Sequence, residues 1–516
     1  MQGKSWLGGL GAVALILSSC TGTGSGEDEA FRPRFVEVAC PSDVEIQVLP
    51  KHSCGYLTVL EDRAKPEGRT IRVFVLTVLP PQEEHPEDPV FTIGGNIGEA
   101  AEIGGSTPVA ARLHRVAYVM DPRGTGHSHP KLACPEVDAL DDEVATSLAS
   151  DDDVREEFAA AVKACHDRLT SQGVDIAAYD VEQAAADVED LRRSLGIQTW
   201  SLGSLGTQSR ILLEVMRSFP EHVRAVYMDS PEFPQLPDPE AAVIGTHWGL
   251  VQLADACASV PCRRAIPHVT RALSRATSRL NAQPTTFVSK DGAIASRIGR
   301  SLKVRVDGGK LLRVVRSSLG LTQFIPLLPS MIAAAAEGKI TAPAREILEN
   351  DPAFCSGYRP GEGCSGPDFS LGVYLTVLCR DQLPFLDRSA LADSLRGDAA
   401  YQTVFGSNPY LDACTVWDVP AADPVMGEPV TGDIPVLIFT GQFDPHSPTP
   451  VAEEAANKLA RAYVVEIPGQ GHNVLGTGDC GVSIRNAWFD HPESPPETTS
   501  CLDSLSVRFT SKGGME

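Results

Sequence analysis

The stretch Trp200-Ser201-Leu202-Gly203-Ser204-Leu205-Gly206-Thr207-Gln208-Ser209-Arg210 decides how this chain is read, because it joins a short apolar run to an amphipathic one through closely spaced glycines. That pattern is a strand-to-helix turn. A turn of the G-x-S-x-G type lifts a serine above a sheet by forcing the backbone into a tight, strained shape, and it needs small residues two before and two after the serine. Centred on Ser204, the segment has Gly206 behind but Leu202 in front, so half the motif is met. A simple glycine-rich turn satisfies the same residues.

Outward from the turn, short β-branched runs alternate with helical patterns, which predicts an α/β fold: a mostly parallel sheet with helices on both faces. The expected strands are Tyr56–Leu60, Ile71–Leu79, Val90–Ile93, Val116–Met120, Thr199–Leu202, Ala225–Met228, Val436–Thr440 and Tyr463–Ile467. The clearest helix is Val181–Leu195, apolar at 181, 184, 185, 188, 191 and 195, with acids toward its start, arginines at its end and Gly196 as its stop. A second follows at about Val451–Leu459. Between Pro231 and about Asn408 the βα rhythm gives way to helical stretches and proline breaks, as expected for an insert. The expected division is 36–231 for the first part of the core, 232–410 for a helical cap and 411–510 for the rest of the core.

Four loops each follow a predicted strand, where an open α/β sheet presents its ligand-binding residues. They are Gly94-Gly95-Asn96-Ile97-Gly98, Asp121-Pro122-Arg123-Gly124-Thr125-Gly126-His127-Ser128, Gly441-Gln442-Phe443-Asp444-Pro445 and Pro468-Gly469-Gln470-Gly471-His472. Alone, Asp444 reads equally as a turn residue and His472 as a surface histidine. Together, turn, acid and histidine follow the Ser…Asp…His chain order of α/β hydrolases. In that reading the backbone N–H groups of Gly94, Gly95 and Leu205 face an oxyanion.

From about Cys40 to Leu502 the chain resembles the secreted tripeptidyl-aminopeptidase-like hydrolases of actinomycetes. The resemblance rests on Cys54-Gly55-Tyr56-Leu57-Thr58-Val59 with Glu61-Asp62-Arg63, the loop from Asp121 to Ser128, Asp229-Ser230-Pro231, and the segments 441–445 and 468–472. It implies an α/β-hydrolase core with a helical cap, no metal or organic cofactor, and serine peptidase chemistry on peptide N-termini. It also implies that Asp444 is the acid and His472 the base.

The turn itself departs from that family's G-x-S-Y-G. With Trp200 and Leu213–Arg217 in ungapped register, Gly206 stands in the nucleophile slot, and a glycine cannot attack a carbonyl. A two-residue shift instead makes Ser204 the nucleophile. The first register predicts a pseudoenzyme that binds a peptide or a partner protein; the second predicts a working serine hydrolase, whether peptidase or esterase. The family's Gly-Gly-Pro-Gly loop is Gly-Gly-Asn-Ile-Gly here, followed by Glu99 and Glu102, whose charges oppose an oxyanion unless they meet a substrate ammonium.

The N-terminus predicts export. Lys4 precedes an apolar run, Trp6 to Leu17, too short to span a bilayer, which ends in Leu17-Ser18-Ser19-Cys20 and a Gly/Ser/Thr linker. Residues 1–19 read as a signal peptide and Cys20 as a lipidated cysteine at the head of a linker, residues 20–35; an ordinary signal with a chance cysteine is the other reading. Of 13 cysteines, 12 remain after Cys20, an even number that fits an oxidising compartment. Nearest-neighbour pairing gives 40 with 54, 134 with 165, 257 with 262, 355 with 364, 379 with 414 and 480 with 501. No two have the C-x-x-C spacing of a zinc site, so no metal is expected. A net charge of -23 argues against nucleic acid, leaving a peptide ligand and the membrane, through the lipid, as expected partners.

Overall fold

Runs of small and β-branched apolar residues form strands here because each is covered on both faces: every position of Val90–Gly94, Trp200–Leu205 and Val436–Gly441 is buried. The structure, a computed structural model, describes residues 31–509 apart from 43, 45–50, 81–86, 96, 99–109, 147–150, 259–261, 264–265, 291–294, 296–298, 300, 351–368, 396–408 and 497–499. The N-terminal segment with Cys20, the loop acids Glu99 and Glu102, and the Cys355 and Cys364 pairing therefore lie outside the described residues.

The main sheet runs in the order β1 (Arg34–Val38), β2 (His52–Leu60), β3 (Thr70–Val78), β5 (Ala117–Met120), β4 (Val90–Gly94), β6 (Trp200–Leu205), β7 (Val223–Asp229), β10 (Val436–Gly441), β11 (Ala462–Ile467). The first three strands and β5 pair antiparallel, and the ladders from β5 through β4, β6, β7 and β10 to β11 are parallel. With its helices this is an α/β-hydrolase core. All eight expected strands form; β1 is an addition. β6 is longer than predicted and takes in Gly203, Ser204 and Leu205. Gly203 is required there, since a Cβ would lie 2.2 Å from the Tyr227 ring on β7.

Before β6 come α1 (Pro135–Thr146), α2 (Asp151–Ser171) and α3 (Val181–Ser194), and after it α4 (Ser209–Ser218). Helix α3 starts where Asp180 accepts the Gln183 N–H and ends with Leu195 as its cap and Gly196 at φ 69°. Its inner face carries Asp187, fully buried, which receives Arg123 Nε at 2.7 Å and Arg63 at 2.6 Å. The loop after β5 is thereby fixed to α3.

Strands β7 and β10 are neighbours in the sheet, yet a long insert separates them in sequence. It contains α5 (Asp238–Ala256), α6 (Val269–Ala282), the hairpin β8 (Thr285–Ser289) and β9 (Leu302–Val306), α7 (Gly308–Gly320), α8 (Leu328–Ala336), α9 (Ala342–Asn350), α10 (Leu371–Val377), α11 (Arg388–Ser394) and α12 (Pro409–Trp417). The hairpin was not foreseen in a stretch read as helical. The core closes with α13 (Thr449–Ala456), α14 (Val474–Thr477) and α15 (Asp479–Asp490). Disulfides join Cys40 to Cys54, Cys134 to Cys165, Cys257 to Cys262, Cys379 to Cys414 and Cys480 to Cys501, five of the nearest-neighbour pairs.

Candidate active site

The turn at the end of β6 is made by Gly206, not by Ser204. Gly206 has φ +67°, a left-handed conformation that glycine adopts without steric cost. A Cβ built on it would lie 3.6 Å from His472 Nε2 and 3.1 Å from the Gly95 carbonyl oxygen. The space a nucleophile's side chain would enter is thus beside His472, and Gly206 puts no side chain there.

Ser204 stands two residues earlier, within the strand, paired with Ile93 on β4 and Met228 on β7. Side chains alternate along a strand, so it shares the face of Leu202 and points into the main core. It is 1% exposed and its hydroxyl has no hydrogen-bond partner. The expectation of Ser204 as an offset nucleophile does not fit this position, because the serine lies in the sheet instead of on its turn. Ser209 is also committed: its hydroxyl donates to the Glu232 carbonyl at 2.8 Å and accepts the Glu232 N–H at 2.9 Å.

Asp444 and His472, 28 residues apart, are brought together by the parallel pairing of β10 with β11. His472 Nδ1 lies 3.0 Å from Asp444 Oδ2 and 3.1 Å from Oδ1. An ionised carboxylate only accepts, so Nδ1 carries the proton and neutral His472 presents Nε2 as an acceptor toward Gly206. Asp444 is fully buried and is also held by the N–H groups of His446 at 2.8 Å and Ser447 at 3.1 Å. Burial alone would raise its pKa, but His472 and these donors hold it well below the usual carboxylate range. Burial works against charge on His472, yet the Asp444 carboxylate raises it above the ordinary histidine value.

A further set of residues holds the two loops. Asp229, at the end of β7, accepts the N–H groups of Val474 at 3.0 Å and Leu475 at 2.8 Å, fixing the chain just past His472. Burial pushes its carboxyl up to about 6. Ser230, at φ 51°, accepts the Asn473 N–H at 3.0 Å. The insert also reaches the site: the Gly320 carbonyl at the end of α7 accepts the His472 N–H at 2.8 Å, and Arg316 on α7 lies 2.9 Å from His446 Nδ1. The His446 and His472 rings are 4.9 Å apart. Asp229 belonged to a segment singled out in the sequence, without a role; no local pattern pointed to Arg316 or His446.

The expected oxyanion donors are differently used. The Gly95 N–H donates to the Leu205 carbonyl at 3.1 Å, and it is the Gly95 carbonyl that faces the turn. Gly94 and Leu205 are partners in the β4–β6 ladder. The assignment of Gly95 as an oxyanion donor is therefore corrected, because its N–H is taken by the Leu205 carbonyl. Thr207, directly after the turn, accepts the Ile97 N–H at 2.7 Å and braces the same loop.

Residues 401–501 match the family described as TAP-like protein. The serine protease Hip1 of Mycobacterium tuberculosis is 22% identical over 527 aligned residues, which cover 95% of this chain and 96% of that one; its Mycobacterium bovis counterpart aligns equally. Among solved structures, the proline iminopeptidase of Mycobacterium smegmatis has a TM-score of 0.36 at 13% identity, covering 85% of this chain and 98% of that one. An esterase from Thermogutta terrifontis has 0.35 at 13% identity, covering 85% and 99%. The chain has an α/β-hydrolase fold with a TAP-like segment over residues 401–501, and it is similar along most of its length to a serine protease.

Proposed function

We propose that this TAP-like α/β-hydrolase-fold protein is a pseudo-peptidase: it keeps the acid and the base of a serine hydrolase, forms no acyl-enzyme, and binds peptides by their N-terminal part. The observation that carries this reading is the 3.6 Å between His472 Nε2 and the place of a Cβ on Gly206. A triad works by moving a proton from a nucleophile's hydroxyl to the histidine as the hydroxyl oxygen attacks. Gly206 offers no hydroxyl, so covalent catalysis stops before its first step. The Gly95 carbonyl adds a second obstacle, because an acceptor beside the reacting centre repels developing negative charge.

Asp444 and His472 then serve to hold their loops and present a polar floor to a ligand, while the insert acts as a cap over it. The reading of the protein as exported and lipid-anchored through Cys20 is supported by the N-terminal pattern and by the five disulfides. Peptide binding is supported by the similarity to a serine protease along the chain. The test is to incubate the purified protein with a set of tri- to hexapeptides, following binding by calorimetry and cleavage by mass spectrometry. Binding without cleavage is expected; turnover of a free-amine peptide that is lost in Ser204→Ala would restore the serine-hydrolase reading.

A further inference from the structure

The two groups nearest the absent side chain of Gly206 are both hydrogen-bond acceptors. The Gly95 carbonyl oxygen stands 3.1 Å and His472 Nε2 3.6 Å from its Cβ position. A serine hydroxyl, with one proton, satisfies only one of them. A water molecule placed beyond the Cβ position, out of contact range of the Gly206 Cα, has two protons to offer these acceptors and turns its lone pairs away from the turn. Gly206 keeps the left-handed conformation of the turn as well, so the approach to the position is preserved.

We propose that this position takes a water molecule in place of the serine, and that His472 activates it for direct hydrolysis of activated acyl compounds, such as aryl esters and thioesters. The inference goes beyond peptide binding and rests on the same placement of Gly206. Neutral His472, its Nδ1 proton held by Asp444, accepts a proton at Nε2 as the water oxygen bonds to the acyl carbon. The carbonyl π pair moves to its oxygen. Collapse of the tetrahedral species breaks the bond to the alkoxide or thiolate, which takes the proton from His472. Ester and water become acid and alcohol, and the site returns to its starting state with no acyl-enzyme.

The geometry also selects the substrate class. With the Gly95 N–H donated to the Leu205 carbonyl, that donor is not offered to the tetrahedral oxyanion, so a good leaving group must supply the missing driving force. Amides do not meet that condition. The His472 side chain is 26% exposed, so a small acyl compound reaches it from solvent. Because Asp444 raises His472, the neutral base appears only above the ordinary histidine range, and the rate must climb on the alkaline side of it.

The experiment uses the full chain and p-nitrophenyl acetate, with His472→Ala and Gly206→Ala as variants. The methyl of Gly206→Ala takes the water's place; thermal unfolding of each variant checks folding, and His472→Ala alone decides if Gly206→Ala does not fold. Expected are steady turnover without a burst, no labelling by a fluorophosphonate probe, and a loss of roughly 100-fold in each variant, the usual contribution of a general base. Equal rates in the three proteins, without labelling, overturn water activation and leave the pseudo-peptidase reading standing. A burst or a labelled serine in the wild-type protein overturns that reading as well.

Discussion

His472 aims Nε2 at Gly206: a Cβ on that glycine would stand 3.6 Å away, at the turn where β6 hands over to α4. The acid–base pair is complete, and Gly206 gives it no hydroxyl to deprotonate. The arrangement separates two properties that usually occur together, a well-oriented histidine and a nucleophile.

Ser204→Ala leaves the protein folded and as stable as, or slightly more stable than, the wild type. The hydroxyl is buried without a partner, a situation that costs about 1–3 kcal/mol for a polar group, and alanine removes it at the expense of little volume. Urea unfolding measures this directly. A loss of more than about 2 kcal/mol would show that the hydroxyl has a role in the folded state.

Arg123→Met destabilises strongly. Arg123 is 1% exposed and donates to Asp187 at 2.6 and 2.7 Å and to the carbonyls of Glu61 at 2.6 Å and Ala178 at 2.7 Å. Removing one partner of a buried pair leaves Asp187 with only Arg63 and costs about 3–5 kcal/mol. Calorimetric or denaturant unfolding reads the loss; a change under about 1 kcal/mol would contradict a structural role for this loop.

Glu232 and Asp229 each draw stability down as pH rises from about 5 to about 8. Burial pushes the Glu232 carboxyl up to about 7, with Asp238 adding to it against the pull of Arg210, and burial pushes Asp229 up to about 6. A folded-state pKa above the unfolded value means the native state holds the proton longer, so the stabilisation is complete below the unfolded carboxylate pKa and is lost as pH climbs through 6 and 7. His472, also raised, changes in the same direction. Glu232→Gln carries no titrating proton, and its unfolding free energy should fall less over this range, by up to ~1.4 kcal/mol per unit of lost shift. Parallel profiles for the two proteins would contradict the assignment.

Gly206→Ala folds at a measurable cost. A non-glycine residue at φ +67° is strained by about 1–3 kcal/mol, and the Gly95 carbonyl, 3.1 Å from the new methyl, must give by a few tenths of an ångström. Equal stability of the variant and the wild type, by denaturant unfolding, would show that the turn does not hold this conformation.

The sheet was legible because its inner strands are short apolar runs separated by glycine and proline, and the α3 helix because its period, its charge order and its Gly196 stop agree. The elbow's own motif left two registers open, and only the ungapped flanks pointed to Gly206. Pattern matching centres on Ser204, with Gly206 two residues on, whereas the fold centres on where the strand stops, and β6 runs on to Leu205 because Gly203 lets it pass the Tyr227 ring. The acid and the histidine were read from loops that follow strands, a rule about chain position. The Arg316 and His446 contact joins residues 130 apart, and the Gly95 N–H turns to Leu205, so both depend on tertiary packing that local spacing does not encode. The edge strand β1 and the β8–β9 hairpin were missed for a similar reason: each is short and partly exposed, so it has no continuous apolar signal.

The most direct test of the account is fluorophosphonate labelling of the wild-type protein beside Gly206→Ser, with the modified residue mapped by mass spectrometry. A serine at 206 places a hydroxyl within reach of His472 Nε2, so the account predicts an unlabelled wild type and a variant labelled at position 206. Labelling of the wild-type protein at Ser204, with none at position 206 in the variant, would contradict it.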